Sequence, residues 1–118
     1  MVLADTSVWI SHLRDGNPQL EELLNAGDVM CHPLIIGELA CGNMKNRDEI
    51  FSLLHFLPTV EMSDHDEILQ FIENNRLMGK GVGIIDVHLL ASAVLTDVPI
   101  WTLDKKLERL SAELSVNF

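Results

Sequence analysis

Positive charge is scarce in this sequence. Eight Lys and Arg residues stand against eighteen Asp and Glu, and the formal net charge is −10. The net negative charge of the chain opposes binding to nucleic acid or to an anionic membrane. Any function on nucleic acid must therefore use metal cations, local basic patches or a basic partner.

Cysteines and long apolar runs are also few. Cys31 and Cys41 form no CxxC pair and no His/Cys metal spacing, so we predict two reduced core residues, with a disulfide as the alternative. No apolar run is long enough to span a bilayer. Asp5 interrupts the N-terminal apolar segment and no basic segment precedes it, unlike a signal peptide. We therefore expect a cytoplasmic protein.

The 118 residues, 47% of them hydrophobic, predict one globular domain, 1–118, without low-complexity tracts, repeats or linkers. Buried strand patterns alternate with amphipathic or apolar helix patterns along the chain. This alternation predicts parallel strand pairing and an α/β sandwich. The predicted strands are Val2–Ala4, Val29–Cys31, Pro58–Met62, Pro99–Thr102 and Leu114–Val116.

Three carboxylates stand alone in the sequence. Asp5, Glu38 and Asp86 are each the single charged residue in an apolar or neutral stretch of about a dozen residues. Burying a carboxylate costs on the order of several kcal/mol unless a cation or hydrogen-bond donors compensate. Asp104 follows a further apolar run, from Val98 to Leu103. The four acids suggest a shared pocket with a divalent metal as its occupant.

Each acid also has a simpler interpretation. Asp5 is a good helix N-cap, Asp86 in the first turn of a helix complements the helix dipole, and Asp104 suits a solvated turn. Glu38 lies in the middle of an apolar helix, where such an interpretation is harder to find. Asp5 and Asp104 end strands, where functional residues of parallel sheets collect. If the four acids meet, Mg²⁺ would relieve their repulsion and support phosphodiester hydrolysis.

Half of the cations lie near these acids in the sequence. Lys80 is in the glycine-rich loop before Asp86, and three cations follow Asp104: Lys105, Lys106 and Arg109. They are candidates for contacting a phosphate backbone despite the acidic total. The five histidines have no ligand-like spacing, so we interpret them as structural or surface residues.

Four segments together resemble a known family. LADTSVW, IIGELACG, GKGVGIIDVHLLASA and IWTLDKKL are similar to the four signature blocks of PIN-domain ribonucleases, and most of all to bacterial VapC-type toxins of toxin–antitoxin pairs. The blocks occur in the family's order and spacing and cover nearly the whole chain. The resemblance implies a PIN-like three-layer sandwich with a central parallel sheet of four to five strands flanked by helices.

The same resemblance implies an activity and a site. It assigns catalysis and metal binding to Asp5, Glu38, Asp86 and Asp104, with accessory hydroxyls at Thr6 and Thr102. The expected activity is Mg²⁺-dependent endonucleolytic cleavage of structured RNA, such as tRNA or rRNA, with Mn²⁺ as a possible substitute. The expected partners are a cognate antitoxin that blocks the site and a second copy of the chain. Lysines rather than a further acid follow Asp104, which leaves one or two metals open.

Two other classes of function fit the size and fold class. A phosphoacceptor receiver domain shares the parallel sheet and the acidic pocket, but this chain lacks its paired acids after the first strand, its acceptor Asp after the third and its Lys before Pro. A PIN-like module that only binds or assembles is the second alternative. The intact set of four acids argues against that alternative.

Overall fold

The computed structural model describes all 118 residues. Its secondary structure alternates between short strands and helices, as the sequence pattern predicts. In chain order the elements are β1 Val2–Ala4, α1 Thr6–Asp15, α2 Pro18–Asn25, β2 Val29–Met30, α3 Pro33–Ala40, α4 Arg47–Phe56, α5 His65–Asn75, α6 Ile84–Thr96, β3 Ile100–Trp101 and α7 Lys105–Glu113. No helix is long and apolar enough to cross a bilayer.

The sheet is parallel, with strand order β2-β1-β3. β1 is the central strand, and all three of its residues are buried because helices cover both faces of such a sheet. Isolated parallel bridges extend the pairing on both sides, between Cys31 and Thr59 and between Ile100 and Asn117. The predicted α/β class, with a parallel sheet flanked by helices, is confirmed.

The third and fifth predicted strands, Pro58–Met62 and Leu114–Val116, are reduced to these single bridges. Pro58 has no amide hydrogen, and its segment pairs with Cys31 through two hydrogen bonds. The Cys31 amide donates to the Pro58 carbonyl, and the Cys31 carbonyl accepts from the Val60 amide. Ser115 has a positive φ of 59°, which breaks the extended conformation predicted for Leu114–Val116. Only the last few residues then pair with Ile100.

One prediction about the core is wrong. Cys31 is buried as expected, whereas Cys41 is exposed. The reason is local, because α3 ends at Ala40 and Cys41 is its C-cap residue, beyond the buried face of the helix. Both thiols are free, and burial raises the pKa of Cys31 to about 11, which makes that thiol unreactive.

Two helices, α1 and α7, begin at the carboxyl edge of the sheet, and each begins with an aspartate N-cap. Asp5 caps α1 directly after β1, and Asp104 caps α7 shortly after β3. Capping by an aspartate oxygen satisfies first-turn amides that have no partner inside the helix. Because parallel strands end at the same edge, Asp5 and Asp104 are brought to one side of the molecule.

Candidate active site

Asp5 is the most enclosed of the four acids, with 5% of its surface exposed. Its Oδ1 accepts hydrogen bonds from the Ser7 amide at 2.8 Å and from the Ser7 hydroxyl, and its Oδ2 accepts from Thr102 Oγ1 at 2.6 Å. These donors compensate the loss of hydration that burial imposes on a carboxylate. Asp5 is thus the N-cap of α1 and is also held by Thr102, a residue outside that helix.

Thr102 joins Asp5 to the start of α7. Its hydroxyl donates to Asp5 and accepts a hydrogen bond from the Asp104 amide at 3.0 Å. Asp104 uses Oδ1 to accept from the amides of Lys106 and Leu107 at 2.9 and 3.1 Å. Asp104 is exposed, and its Oδ1 is engaged in capping. This geometry favours an electrostatic role for Asp104 next to the buried Asp5.

Glu38 is connected to the residue that follows Asp5. Thr6 Oγ1 donates to Glu38 Oε1 at 2.6 Å, across 32 residues of sequence. This contact links the first turn of α1 to α3, two helices that pack against each other. The structure thus places the two predicted accessory hydroxyls, Thr6 and Thr102, each on a predicted site carboxylate.

Asp86 completes the group from the first turn of α6. Burial, and after it the negative charges of Asp5, Asp104 and Glu38, together raise its pKa to about 6, against the opposing effect of a hydrogen bond from the Gly83 backbone. Repulsion of this kind requires the carboxylates to be near one another in a poorly hydrated region. The four acids, which come from four separate segments, therefore share one electrostatic environment.

The donor chemistry fits a hard divalent cation. No group of three or more His, Cys, Asp or Glu side chains is arranged to hold a metal ion as it stands. Mg²⁺, however, usually takes only one or two carboxylates and keeps several waters. The pKa of Asp86 is raised by burial and by three neighbouring acids, and a metal would neutralise part of this negative charge. The site residues thus suit Mg²⁺ without forming a closed cage.

Two of the predicted basic segments meet beside this site. Lys106 Nζ lies 3.2 Å from the position that a Cβ on Gly81 would take, so the side chain runs along the glycine-rich loop before Asp86. Gly81 has a φ of +77°, which also favours glycine there. Lys80, Lys105, Lys106 and Arg109 are all exposed.

Ser7 is a site residue that the sequence interpretation missed. Its hydroxyl donates to Asp5 Oδ1 and accepts from the Leu103 amide at 2.9 Å, so it ties α1 to the loop that follows β3. The available signal was its position two residues after an aspartate N-cap, where a donor to the cap is common.

We predict that Ser7→Ala slows the reaction of this site about tenfold and lowers the free energy of unfolding by about 1–2 kcal/mol, because it removes two hydrogen bonds that hold Asp5 and Leu103. Chemical denaturation and a cleavage assay would measure both effects. Ser11→Ala, the same change further along α1, is the control and should leave both values near wild type. An unaffected Ser7→Ala protein would show that the hydroxyl does not order Asp5.

Comparisons with known proteins identify the family of the chain. The PIN domain family model matches residues 2–113. Two proteins named Ribonuclease VapC32, from Mycobacterium tuberculosis strains CDC 1551 and H37Rv, are each 44% identical over 117 residues, which cover 98% of this chain and 94% of the relative. The crystal structure of PAE2754 from Pyrobaculum aerophilum, 15% identical, has a TM-score of 0.64 over 92% of this chain and 78% of that chain, which shows a shared fold. The chain therefore belongs to the PIN-domain family, in its VapC branch.

Proposed function

We propose that this protein is a Mg²⁺-dependent endoribonuclease toxin that cleaves structured RNA, such as tRNA or rRNA, in the cytoplasm and is neutralised by a cognate antitoxin. One observation carries the proposal: the pKa of Asp86 is raised to about 6 by burial and by Asp5, Asp104 and Glu38. A set of acids kept in mutual repulsion costs stability, and such sites are typical of catalysis. The similarity to proteins named Ribonuclease VapC32 supports RNA as the substrate.

Within this proposal the residues have separate roles. Asp5 and Asp86 are the metal ligands, Glu38 completes the set, and Asp104 adds negative charge from the cap of α7. Ser7, Thr6 and Thr102 hold carboxylate oxygens in fixed directions, which preorganises the ligands. When bound, Mg²⁺ supplies a more acidic water for attack on the phosphodiester and stabilises charge on the phosphoryl oxygens.

Four exposed cations on the glycine-rich loop and on α7 are the proposed RNA contacts. Lys80, Lys105, Lys106 and Arg109 flank the acidic group on the glycine-rich loop and on α7. Such residues position the phosphate backbone without reading sequence. They give the strongly acidic chain a local basic surface next to the proposed site of cleavage.

A groove beside Glu38 is the proposed docking surface of the antitoxin. It has a volume of about 700 Å³ and lies between α1, α3 and the start of α4. Apolar residues form part of its lining, including Ile10, Leu13 and Ile50, and it extends to Glu38 itself. A basic segment that followed the groove would reach the carboxylates and offset part of the −10 charge.

The exposed apolar residues of α5 and α6 are the proposed contact with a second copy of the chain. Leu69, Val94 and Leu95 are 47%, 45% and 51% exposed, and they lie on neighbouring helices. Apolar side chains grouped on a surface favour association, because pairing removes them from water. A homodimer formed there would leave the carboxyl edge of the sheet free.

The reaction can be tested with purified protein and a panel of RNAs: tRNA, rRNA, unstructured RNA and DNA of the same sequence. We expect cleavage of structured RNA and products ending in a phosphate and a hydroxyl, because water is the nucleophile. Products with a 2′,3′-cyclic phosphate would show attack by the RNA itself and would contradict hydrolysis at this site. Binding of RNA without any cleavage would favour the alternative, a PIN-like binding or assembly module.

A further inference from the structure

Three of the four buried side-chain atoms that have no protein hydrogen-bond partner belong to residues on α6 or at the start of α3. They are His32 Nε2, His88 Nδ1 and Ser92 Oγ, and the fourth is Trp9 Nε1. His32 and Ser92 are both 0% exposed. A buried polar group without a partner costs about 1–3 kcal/mol, so three in one region need a common explanation.

The protonation of His32 follows from its role as a helix cap. His32 Nδ1 accepts a hydrogen bond from the Leu34 amide at 3.0 Å, which caps α3 and requires an unprotonated Nδ1. Burial lowers the pKa of His32 to about 4, so the ring is neutral at pH 7. Its hydrogen is therefore on Nε2, which is a donor facing no acceptor in the protein.

His88 packs against His32 from α6, and Ser92 follows one helical turn later. They are four residues apart, which puts them on one face of the helix. The ring centroids of His32 and His88 are 6.2 Å apart with the rings at 68°. A direct N–H···N bond would bring the centroids to roughly 5 Å, whereas one bridging water would separate them by roughly 6–7 Å. The observed spacing matches the bridged arrangement.

We infer that His32, His88 and Ser92 bind one internal water molecule, and that His32 is thereby a positioning residue for the carboxylates. The water accepts from His32 Nε2 and donates to His88 Nδ1, and the Ser92 hydroxyl is its third partner. Buried waters usually make about three such hydrogen bonds. This inference concerns the chain's own residues, and only its effect on cleavage rests on the proposed function.

The bridge connects the two helices that carry Glu38 and Asp86. His32 caps the start of α3, six residues before Glu38, while His88 lies two residues after Asp86. The elements of the sheet hold Asp5 in place, but α3 and α6 lack a protein hydrogen bond through these three side chains. A water shared by them fixes the separation of Glu38 and Asp86, because its geometry is directional.

The Ser92→Ala substitution distinguishes a water-bridged cluster from three unpaired groups, because the two cases predict different changes in the unfolding equilibrium constant. If the water is bound, Ser92→Ala removes one of its partners, and the unfolding equilibrium constant should rise about fivefold. If Ser92 has no partner, its removal should leave that constant unchanged or lower it. Ser111→Ala is the matched control, since Ser111 is also a fully buried helical serine but donates to the Glu108 carbonyl at 2.7 Å.

The water and its effect on the site need separate measurements. NMR of the whole protein should show His32 with its hydrogen on Nε2 and a nuclear Overhauser effect from that hydrogen to a long-lived water; its absence would overturn the inference, whatever the enzyme does. Under the proposed function, His32→Asn keeps a capping oxygen but loses the far N–H, so kcat should fall about three- to tenfold at constant KM. The kcat of the Ser92→Ala protein should fall by a similar factor, and that of the Ser111→Ala protein should not. An unchanged kcat in both His32→Asn and Ser92→Ala would overturn the positioning role alone.

Discussion

Replacing Asp5 with asparagine is expected to lower the rate of RNA cleavage by at least about 100- to 1,000-fold, with the free energy of unfolding within about 1 kcal/mol of wild type. The reason is that asparagine keeps the capping oxygen that accepts from the Ser7 amide and hydroxyl. What it loses is the negative charge that the proposed metal site needs, together with the oxygen that accepts from the Thr102 hydroxyl. Cleavage rates and chemical denaturation would measure the two effects on the same preparation.

Asp64→Asn is the matched control for this substitution. Asp64 is also a helix N-cap, in a capping box with Glu67 at the start of α5, but it is exposed and is not among the groups that raise the pKa of Asp86. The same chemical change there should leave cleavage unaltered. Equal activity of the Asp5→Asn and Asp64→Asn proteins would show that Asp5 serves as a cap and has no part in the chemistry.

Replacing Asp86 with asparagine is expected to abolish cleavage while making the protein more stable. At pH 7 the charged Asp86 is destabilising, because burial and the three neighbouring acids raise its pKa to about 6. Removing the charge should raise the free energy of unfolding by about 1–2 kcal/mol, a value reduced from the full shift because the side chain is only half-buried. Opposite changes in activity and stability are the signature of a strained site.

The same pKa shift predicts how stability depends on pH. An acid whose folded pKa is raised binds its proton more tightly in the folded state, so this proton's contribution to stability is fully present below the ordinary pKa of 3.8. That contribution is lost as the pH rises towards about 6. The stability advantage of Asp86→Asn over wild type should therefore be small at pH 4, grow between pH 4 and pH 6, and remain constant above that range.

Asp66→Asn controls for the position of Asp86 in its helix. Asp66 is in the first turn of α5, as Asp86 is in the first turn of α6, but it is exposed. Loss of a charge that only complements the helix dipole should destabilise by about 0.3–1 kcal/mol. A destabilised Asp86→Asn protein would thus indicate a dipole role and would contradict repulsion within the site.

The pattern of isolated charges singles out three of the four candidate acids. Asp5, Glu38 and Asp86 are unusual because each is alone in an apolar stretch, and that property is local to the sequence. Their convergence is not local, since it depends on contacts such as Thr102 with Asp5 across 97 residues and Thr6 with Glu38 across 32. Here the resemblance to the family supplied what the residue pattern lacked.

Other features depend on tertiary geometry that no periodicity encodes. Ser7 resembles any serine in a first helical turn until the Leu103 amide is seen to approach it. His32 and His88 have no ligand-like spacing, and their proximity appears only when α3 and α6 are packed. The two outer segments form single bridges instead of strands for local reasons. Pro58 has no amide hydrogen, and Ser115 has a left-handed backbone conformation.

The central claim is that these carboxylates form one metal-dependent nuclease site, and metal add-back tests it most directly. Structured RNA would be incubated with wild type and with Asp5→Asn after EDTA treatment, followed by stepwise addition of Mg²⁺. We expect no cleavage by either protein in EDTA, and recovery with Mg²⁺ in wild type alone, because the acids need the cation to act. Cleavage by wild type that continues unchanged in EDTA, or full recovery of Asp5→Asn with Mg²⁺, would contradict the claim.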